Sequence, residues 1–219
     1  GMVNIPQGRV LLIANHAGQI PLDGFCIGTS ILLEAEPPRL VRSMVERWAA
    51  TLPFVNQFFT RAGQIVGTPE NCIRLLERDE AILVFPEGVK GINKLFNERY
   101  QLKEFGHGFM RLALKSGAPI VPIAVIGSEE QAPSLYNARA IARMFGAPAL
   151  PITPTFPLFG PLGFLPYPVK YHIRFGEPLR FEGDPDEDDH EIEKKVQTVR
   201  TTIQSMIYRG LKERKHIFW

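Results

Sequence analysis

The sequence predicts an α/β protein: a single domain with a mainly parallel or mixed central sheet flanked by helices. Three observations predict it. Short runs of consecutive apolar residues alternate along the chain with longer segments of helical periodicity. No internal repeat interrupts that alternation. The chain has 219 residues, 45% of them hydrophobic and 22% charged, enough for one sizeable buried core. Residues 1–219 are therefore read as one domain. The start Gly1-Met2 reads as a cleavage scar, so a natural N-terminal part of the protein is expected to be absent from this sequence.

Each element has its own reason. Residues 9 to 14 are an apolar run and read as a buried strand. Pro21 suits the first position of a helix, which then runs from 21 to 34 and stops before Pro37-Pro38. Residues 39 to 43 read as a second strand, and 45 to 62 as one or two helical pieces interrupted at Pro53. Ile65-Val66 is a short strand. Thr68 caps a helix with Pro69 at its first position, running to about Arg78. Ala81 to Phe85 is a clear buried strand, followed by the loop Pro86-Glu87-Gly88. Residues 107 to 116 form a helix closed by Gly117, and 120 to 125 another buried strand. Residues 134 to 145 read as helical and 170 to 175 as a strand. Ile192, Val196, Val199, Ile203, Ile207 and Leu211 recur at three- and four-residue steps, the mark of an amphipathic helix.

Composition narrows the function. A net charge of +2 argues against general nucleic-acid binding and against disorder. Cys26 and Cys72 lie in apolar, helix-like stretches, which fits a reducing compartment and offers no disulfide framework. Neither CxxC nor HExxH spacing occurs, so no metal site is expected. No apolar stretch is long and clean enough to be a spanning helix.

In open α/β sheets, sites form beyond the carboxyl ends of the strands. Asn15-His16, Pro86-Glu87-Gly88 and Gly127-Ser128-Glu129-Glu130 all follow predicted strands. A lone histidine is more often structural than catalytic. His16, however, sits at a strand end with Gly18 leaving room, and Asp23 is the one carboxylate before Glu34. A carboxylate fixes a histidine's tautomer and stabilises the imidazolium, making it a general base. That segment offers no nucleophilic cysteine or serine between the two, so deprotonation of a substrate hydroxyl is more natural than an acyl-enzyme. Asp23 has a second reading as a charge complementing a helix N-terminus. In "ILVFPEGVKGINK", backbone N–H groups of the turn at Glu87-Gly88, with Lys90 and Lys94, offer a hold for an anionic or polyol acceptor. A plain strand-to-loop turn with solvated lysines is the simpler reading of that stretch alone.

Taken together, these stretches resemble the glycerolipid acyltransferase family, which includes the lysophosphatidic acid acyltransferases. Four ordered blocks over roughly residues 10 to 180 carry the resemblance. Asn15-His16 with Asp23 resembles the family's His-Asp block. Phe85-Pro86-Glu87-Gly88-Val89-Lys90 resembles its Phe-Pro-Glu-Gly-Thr-Arg block, and Phe105-Gly106-His107-Gly108 the Phe-Lys-x-Gly that follows. Val121-Pro122-Ile123 resembles the fourth block. There are departures. The usual His-to-Asp spacing is five residues and here it is seven, so two extra residues must loop out. Gly67-Thr68 stands where the second block has a phosphate-binding Arg, and Lys90 where the third has its Arg. Lys and Arg are not equivalent for bidentate phosphate contact, so these changes weaken the case for a glycerol-phosphate acceptor specifically.

The resemblance implies an O-acyltransferase that moves a fatty acyl group from acyl-CoA or acyl-carrier protein to a hydroxyl of a glycerolipid or lysophospholipid. His16 is then the general base and Asp23 its orienting partner. Asn15, Glu87, Gly88 and Lys90 bind substrate, and backbone donors near the His16 loop stabilise the oxyanion. No cofactor or metal is implied; the acyl-CoA or carrier protein is a substrate. Expected partners are that donor, the lipid acceptor and a membrane surface, with no nucleic acid. The expected location is peripheral, on the cytoplasmic side of a membrane. Two stretches bear on that. Ala147 to Val169 carries no charge, with a proline density that excludes a spanning helix; it reads as an apolar lip or as a rigid loop over the core. Arg209, Lys212, Arg214, Lys215, Phe218 and Trp219 read as an interfacial anchor or as a solvated helix end. The acidic run Asp184 to Glu193 reads as a solvated helix start. Two rival readings remain: a thioester hydrolase using the same dyad, and a non-catalytic lipid-binding relative.

Overall fold

The computed structural model describes residues 1–16, 22–45, 57, 61, 63–144 and 150–218, with backbone alone at 139 and 143. Its strands are β1 (Val10–Ala14), β2 (Val41–Val45), β3 (Ile65–Val66), β4 (Ala81–Val84), β5 (Ile120–Ile126), β6 (Tyr136–Asn137), β7 (Pro151–Ile152) and β8 (His172–Phe175). Its helices are α1 (Leu22–Glu34), α2 (Pro69–Leu76), α3 (Val89–Ile92), α4 (Gly108–Ser116), α5 (Arg139–Met144) and α6 (Asp189–Glu213). Six strands form one mixed sheet in the order β3-β2-β4-β1-β5-β8. The first five run parallel and β8 is antiparallel to β5.

Helices cover both faces of this sheet, which explains why β1 is buried at all five positions. Leu11, Ile13, Ile82, Ile120, Ala124 and Ile126 point to one face, into a core shared with Leu76, Met110 and the stripe Ile192, Val196, Val199, Ile203 and Ile207 of α6. Val10, Leu12, Ala14, Leu83, Val121 and Ile123 point to the other, where Ile27 and Ile31 of α1 pack. The period-two alternation of a strand thus divides one apolar run between two cores.

The predicted capping chemistry is in place. Thr68 Oγ1 accepts from the Asn71 N–H at 3.2 Å, with Pro69 at the first position of α2. Gly117 ends α4 at φ 65°, a left-handed conformation that glycine adopts without strain. The expected helix over 134 to 145 is corrected: Tyr136-Asn137 forms β6 with β7, and only Arg139–Met144 is helical. Local side-chain bonds compete with the helix there. Ser134 Oγ donates to the Tyr136 carbonyl, and Asn137 Oδ1 accepts from the Leu150 N–H. The predicted pieces across 45 to 62, with Pro53, and the helix start at Pro21 fall on residues outside those described. Among the described residues no helix is long and apolar enough to cross a membrane.

Candidate active site

β1 delivers its last residue, Ala14, opposite Ile123 of β5, and the chain then turns out at the carboxyl end of the sheet. Asn15 fixes that turn. Its buried side chain donates to the Val125 carbonyl at 3.0 Å and accepts from the Val125 N–H at 2.8 Å. The two bonds mimic a continuing strand for one more residue, and His16 emerges directly beyond it.

Four contacts then hold His16. Its Nδ1 lies 2.8 Å from Asp23 Oδ2. Its backbone N–H donates to Glu87 Oε1 at 3.0 Å. Phe85 stacks on the imidazole, with ring centroids 4.2 Å apart and planes at 26°. Gly91 of α3 packs against it so closely that a Cβ there would sit 2.8 Å from the His16 carbonyl oxygen and 3.0 Å from its Cβ. The His16 side chain keeps 14% of its surface exposed while that of Asp23 keeps none.

An isolated buried carboxylate costs several kcal/mol unless it is compensated. Asp23 has compensation: it stands in the first turn of α1, and its Oδ1 accepts from the Gly24 N–H at 2.9 Å. The helix-start and histidine-partner readings of Asp23 are therefore both realised. With Nδ1 at the carboxylate, Nε2 is the ring nitrogen that does not face Asp23. The seven-residue spacing still brings the pair within hydrogen-bond distance; the residues that loop out between them lie outside those described, as does the expected oxyanion loop.

The expected substrate contacts sort differently. Asn15 and Glu87 were assigned to substrate from the sequence, yet both side chains are committed to the protein itself. Glu87 Oε1 accepts from His16, Oε2 accepts from the Lys103 N–H at 2.7 Å, and Lys94 Nζ lies 3.4 Å from Oε2. Gly88 turns the chain at φ 52° into α3, and its N–H donates to the Phe85 carbonyl at 3.0 Å. Lys90 points away from this packed side: its side chain is 69% exposed and its ammonium lies 3.0 Å from Glu104.

Sequence reasoning missed Gly91 beside the dyad and did not foresee what Lys94 and Glu129 do behind it. Gly91 makes the close approach of α3 to His16 possible. Lys94, read from sequence as a solvated or acceptor-binding lysine, is buried and bonds to Glu129 Oε1 at 2.9 Å as well as facing Glu87. Glu129 in turn accepts the Tyr100 N–H at 2.8 Å, and burial pushes its carboxyl above the ordinary range against the pull of Lys94. The signal for Gly91 was its three-residue offset from Gly88; nothing local distinguishes Lys94 from Lys90.

Neither thiol competes for a nucleophile's role. Burial and the Asp23 charge push Cys26 up, and burial raises Cys72 to about 11. Among the described residues no group of three or more His, Cys, Asp or Glu is placed to hold a metal ion. The expected solvated acidic run is partly engaged: Glu193 bonds His107 Nε2 at 2.6 Å and Asp189 bonds Arg111 at 2.7 Å. The tail reading is corrected at Arg214, which is folded back in a bidentate pair with Glu130; Trp219 lies outside the described residues.

A mixed, mainly parallel sheet covered on both faces, with a His-Asp contact at the carboxyl end of β1, is an α/β architecture of the acyltransferase type. The Acyltransferase family matches residues 1–126, and the chain belongs to that family. An uncharacterised protein of Mycobacterium tuberculosis is 41% identical over all of this chain and 63% of its own length. The "DGAT1/2-independent enzyme synthesizing storage lipids" of Mus musculus is 25% identical over 94% of this chain and 58% of its own. The chain thus spans under two thirds of these curated relatives. The 1-acyl-sn-glycerophosphate (LPA) acyltransferase PlsC of Thermotoga maritima shares the fold, with a TM-score of 0.57 over 99% of this chain and 72% of that one at 17% identity.

Proposed function

We propose that the protein is an O-acyltransferase that moves a fatty acyl group from acyl-CoA or acyl-carrier protein to a hydroxyl of a glycerolipid or lysophospholipid. The observation that carries this reading is the His16 Nδ1–Asp23 Oδ2 contact of 2.8 Å, with the carboxylate wholly buried at the carboxyl end of the sheet. Membership of the acyltransferase family and the PlsC-like fold support the reaction class.

The step balances simply. His16 Nε2 takes the acceptor's hydroxyl proton as that oxygen attacks the thioester carbonyl. The tetrahedral intermediate collapses with cleavage of the C–S bond. The departing thiolate takes the proton from the imidazolium, giving an ester and a free thiol. Asp23 stabilises the imidazolium that exists between those two transfers. Glu87, Phe85 and Gly91 hold His16 in register, and Lys90, on the solvent side of α3, is assigned to the acceptor. The enzyme works as a peripheral protein on the cytoplasmic side of a membrane, where the lipid acceptor partitions and a soluble thioester donor reaches it.

The test is an acceptor panel: labelled acyl-CoA or acyl-carrier protein with glycerol phosphate, lysophospholipids and mono- and diacylglycerols, read by mass spectrometry of the lipids. The expected result is an ester that forms only with an acceptor and is lost in His16→Ala. Thioester loss independent of every acceptor identifies a hydrolase, and no consumption at all identifies a non-catalytic lipid-binding relative.

A further inference from the structure

We propose that the exposed apolar residues Leu158, Phe159, Leu162 and Leu165, in the insertion between β5 and β8, form the membrane-docking face of this protein, and that they seat an anionic lipid surface at the end of the sheet that carries His16. This rests on the lipid-acyltransferase reading above and names the surface that would serve it. Four observations carry it.

The first is position. β5 ends at Ile126 and β8 begins opposite it at His172, so everything between them leaves the sheet at the carboxyl end. Asn15, next to His16, is bonded to Val125 at that same end. The insertion therefore leaves the sheet at the end that carries the dyad.

The second is exposure of apolar groups. Leu158, Phe159, Leu162 and Leu165 are 78%, 61%, 69% and 64% exposed, and Leu135 and Tyr136 stand out across the small sheet. Single exposed apolar side chains are ordinary, whereas a cluster of this kind marks a contact surface.

The third is that the fold holds these side chains outward. Thr155 Oγ1 donates to the Gly163 carbonyl at 2.8 Å, and Phe156 stacks on Phe164 at 4.1 Å. A Cβ on Gly163 would meet the Thr155 carbonyl oxygen at 2.5 Å, so the segment closes on itself there. The Tyr167 N–H donates to the Gln131 carbonyl at 2.7 Å, tying the base of the insertion together. The half-buried aromatic pair stacks within this closed segment, leaving the leucines and Phe159 exposed on it.

The fourth is charge. Glu129 and Glu130 at the start of the insertion are buried and paired with Lys94 and Arg214; from Gln131 to Ile173 there is no aspartate or glutamate, while Arg139, Arg143 and an exposed Lys170 are present. An apolar rim in a basic, acid-free segment matches an anionic bilayer interface. It disfavours a second copy of this chain, which would bring the same sign of charge to the contact.

The experiment is co-sedimentation of the chain, without substrate, with vesicles of phosphatidylcholine alone or of phosphatidylcholine with phosphatidylglycerol. Wild type is expected on both, and more on the anionic vesicles. The variant Leu158→Ser/Phe159→Ser/Leu162→Ser should lose roughly tenfold or more of its partitioning onto both at an unchanged melting temperature. Lys170→Glu should lose only the anionic excess, a several-fold effect that salt abolishes. Failure of wild type to sediment with either vesicle overturns the proposal. So does wild-type sedimentation of the triple variant. A concentration-dependent dimer that the triple variant abolishes, with vesicle binding intact, assigns the face to a second copy instead. Because binding is read without turnover, absent acyl transfer beside intact vesicle binding refutes the function and not the docking face. The reverse pattern refutes the docking face alone.

Discussion

At the scale of single residues, the dyad is a problem of orientation. His16 is clamped by Asp23, Glu87, Phe85 and the bare backbone of Gly91. In the proposed mechanism His16→Ala removes the general base, and it should lower kcat/KM roughly 10²- to 10⁴-fold at an unchanged melting temperature; activity within a few-fold of wild type would exclude the general-base role. Asp23→Asn keeps the volume and loses the carboxylate charge beside His16 Nδ1, which in the proposed mechanism fixes the tautomer. It should cost catalysis more than stability, measured as a fall in kcat beside a small shift in thermal unfolding. Gly91→Ala tests positioning, because its methyl group would fall 2.8 Å from the His16 carbonyl oxygen and 2.9 Å from Glu87 Cβ. The backbone must give way there. We expect kcat to drop by about 10-fold to 10²-fold with KM little changed, since small misplacements of a reacting group are costly. Wild-type kcat in Gly91→Ala would show that α3 does not set the ring.

At the scale of elements, α3 and its preceding turn have two sides. One packs on His16, and the other carries Lys90 to solvent beside Glu104. An exposed pair of this kind contributes at most about 1 kcal/mol to stability. Lys90→Ala should therefore leave the melting temperature nearly unchanged and raise the acceptor KM several-fold; a rise confined to the thioester KM would assign Lys90 to the donor. The same element shows what a sequence makes legible. β1, β4, β5 and α6 are visible because their apolar runs and stripe face a core and no local feature opposes them. His16 and Asp23 are visible because both ends of their contact lie within one short segment. Gly91, Lys94 and Glu129 are not, because their meaning comes from which loops the sheet brings together. β6 and β7 are two residues each, too short for a period, and side-chain hydrogen bonds displace the helix that propensity favours.

At the scale of the whole molecule, a chain of polar contacts joins the last helix to the dyad. Arg214, just beyond α6, forms a bidentate pair with Glu130, to which Tyr100 Oη also donates at 2.8 Å. The Tyr100 N–H bonds Glu129, Glu129 bonds Lys94, and Lys94 faces the Glu87 that holds His16. Removing one partner of a buried pair leaves the other charge uncompensated, which costs about 3–5 kcal/mol when both are fully buried. Arg214 and Glu130 keep 12% and 8% of their side-chain surfaces exposed, so solvent screens part of that loss. Arg214→Met should therefore destabilise by about 2–3 kcal/mol, a fall in melting temperature of about 4–12 °C for a chain of this size. Glu130→Gln/Arg214→Met removes the stranded charge while keeping an acceptor for Tyr100, and should recover most of that loss. Thermal unfolding of the two variants separates a tie from a loose tail. A single variant as stable as wild type would mean that the pair contributes nothing, and that Arg214 belongs with the exposed basic residues that follow α6. A double variant no better than the single would place the loss in the packing of Arg214 over the Tyr100 ring, 5.8 Å away, instead of in its charge.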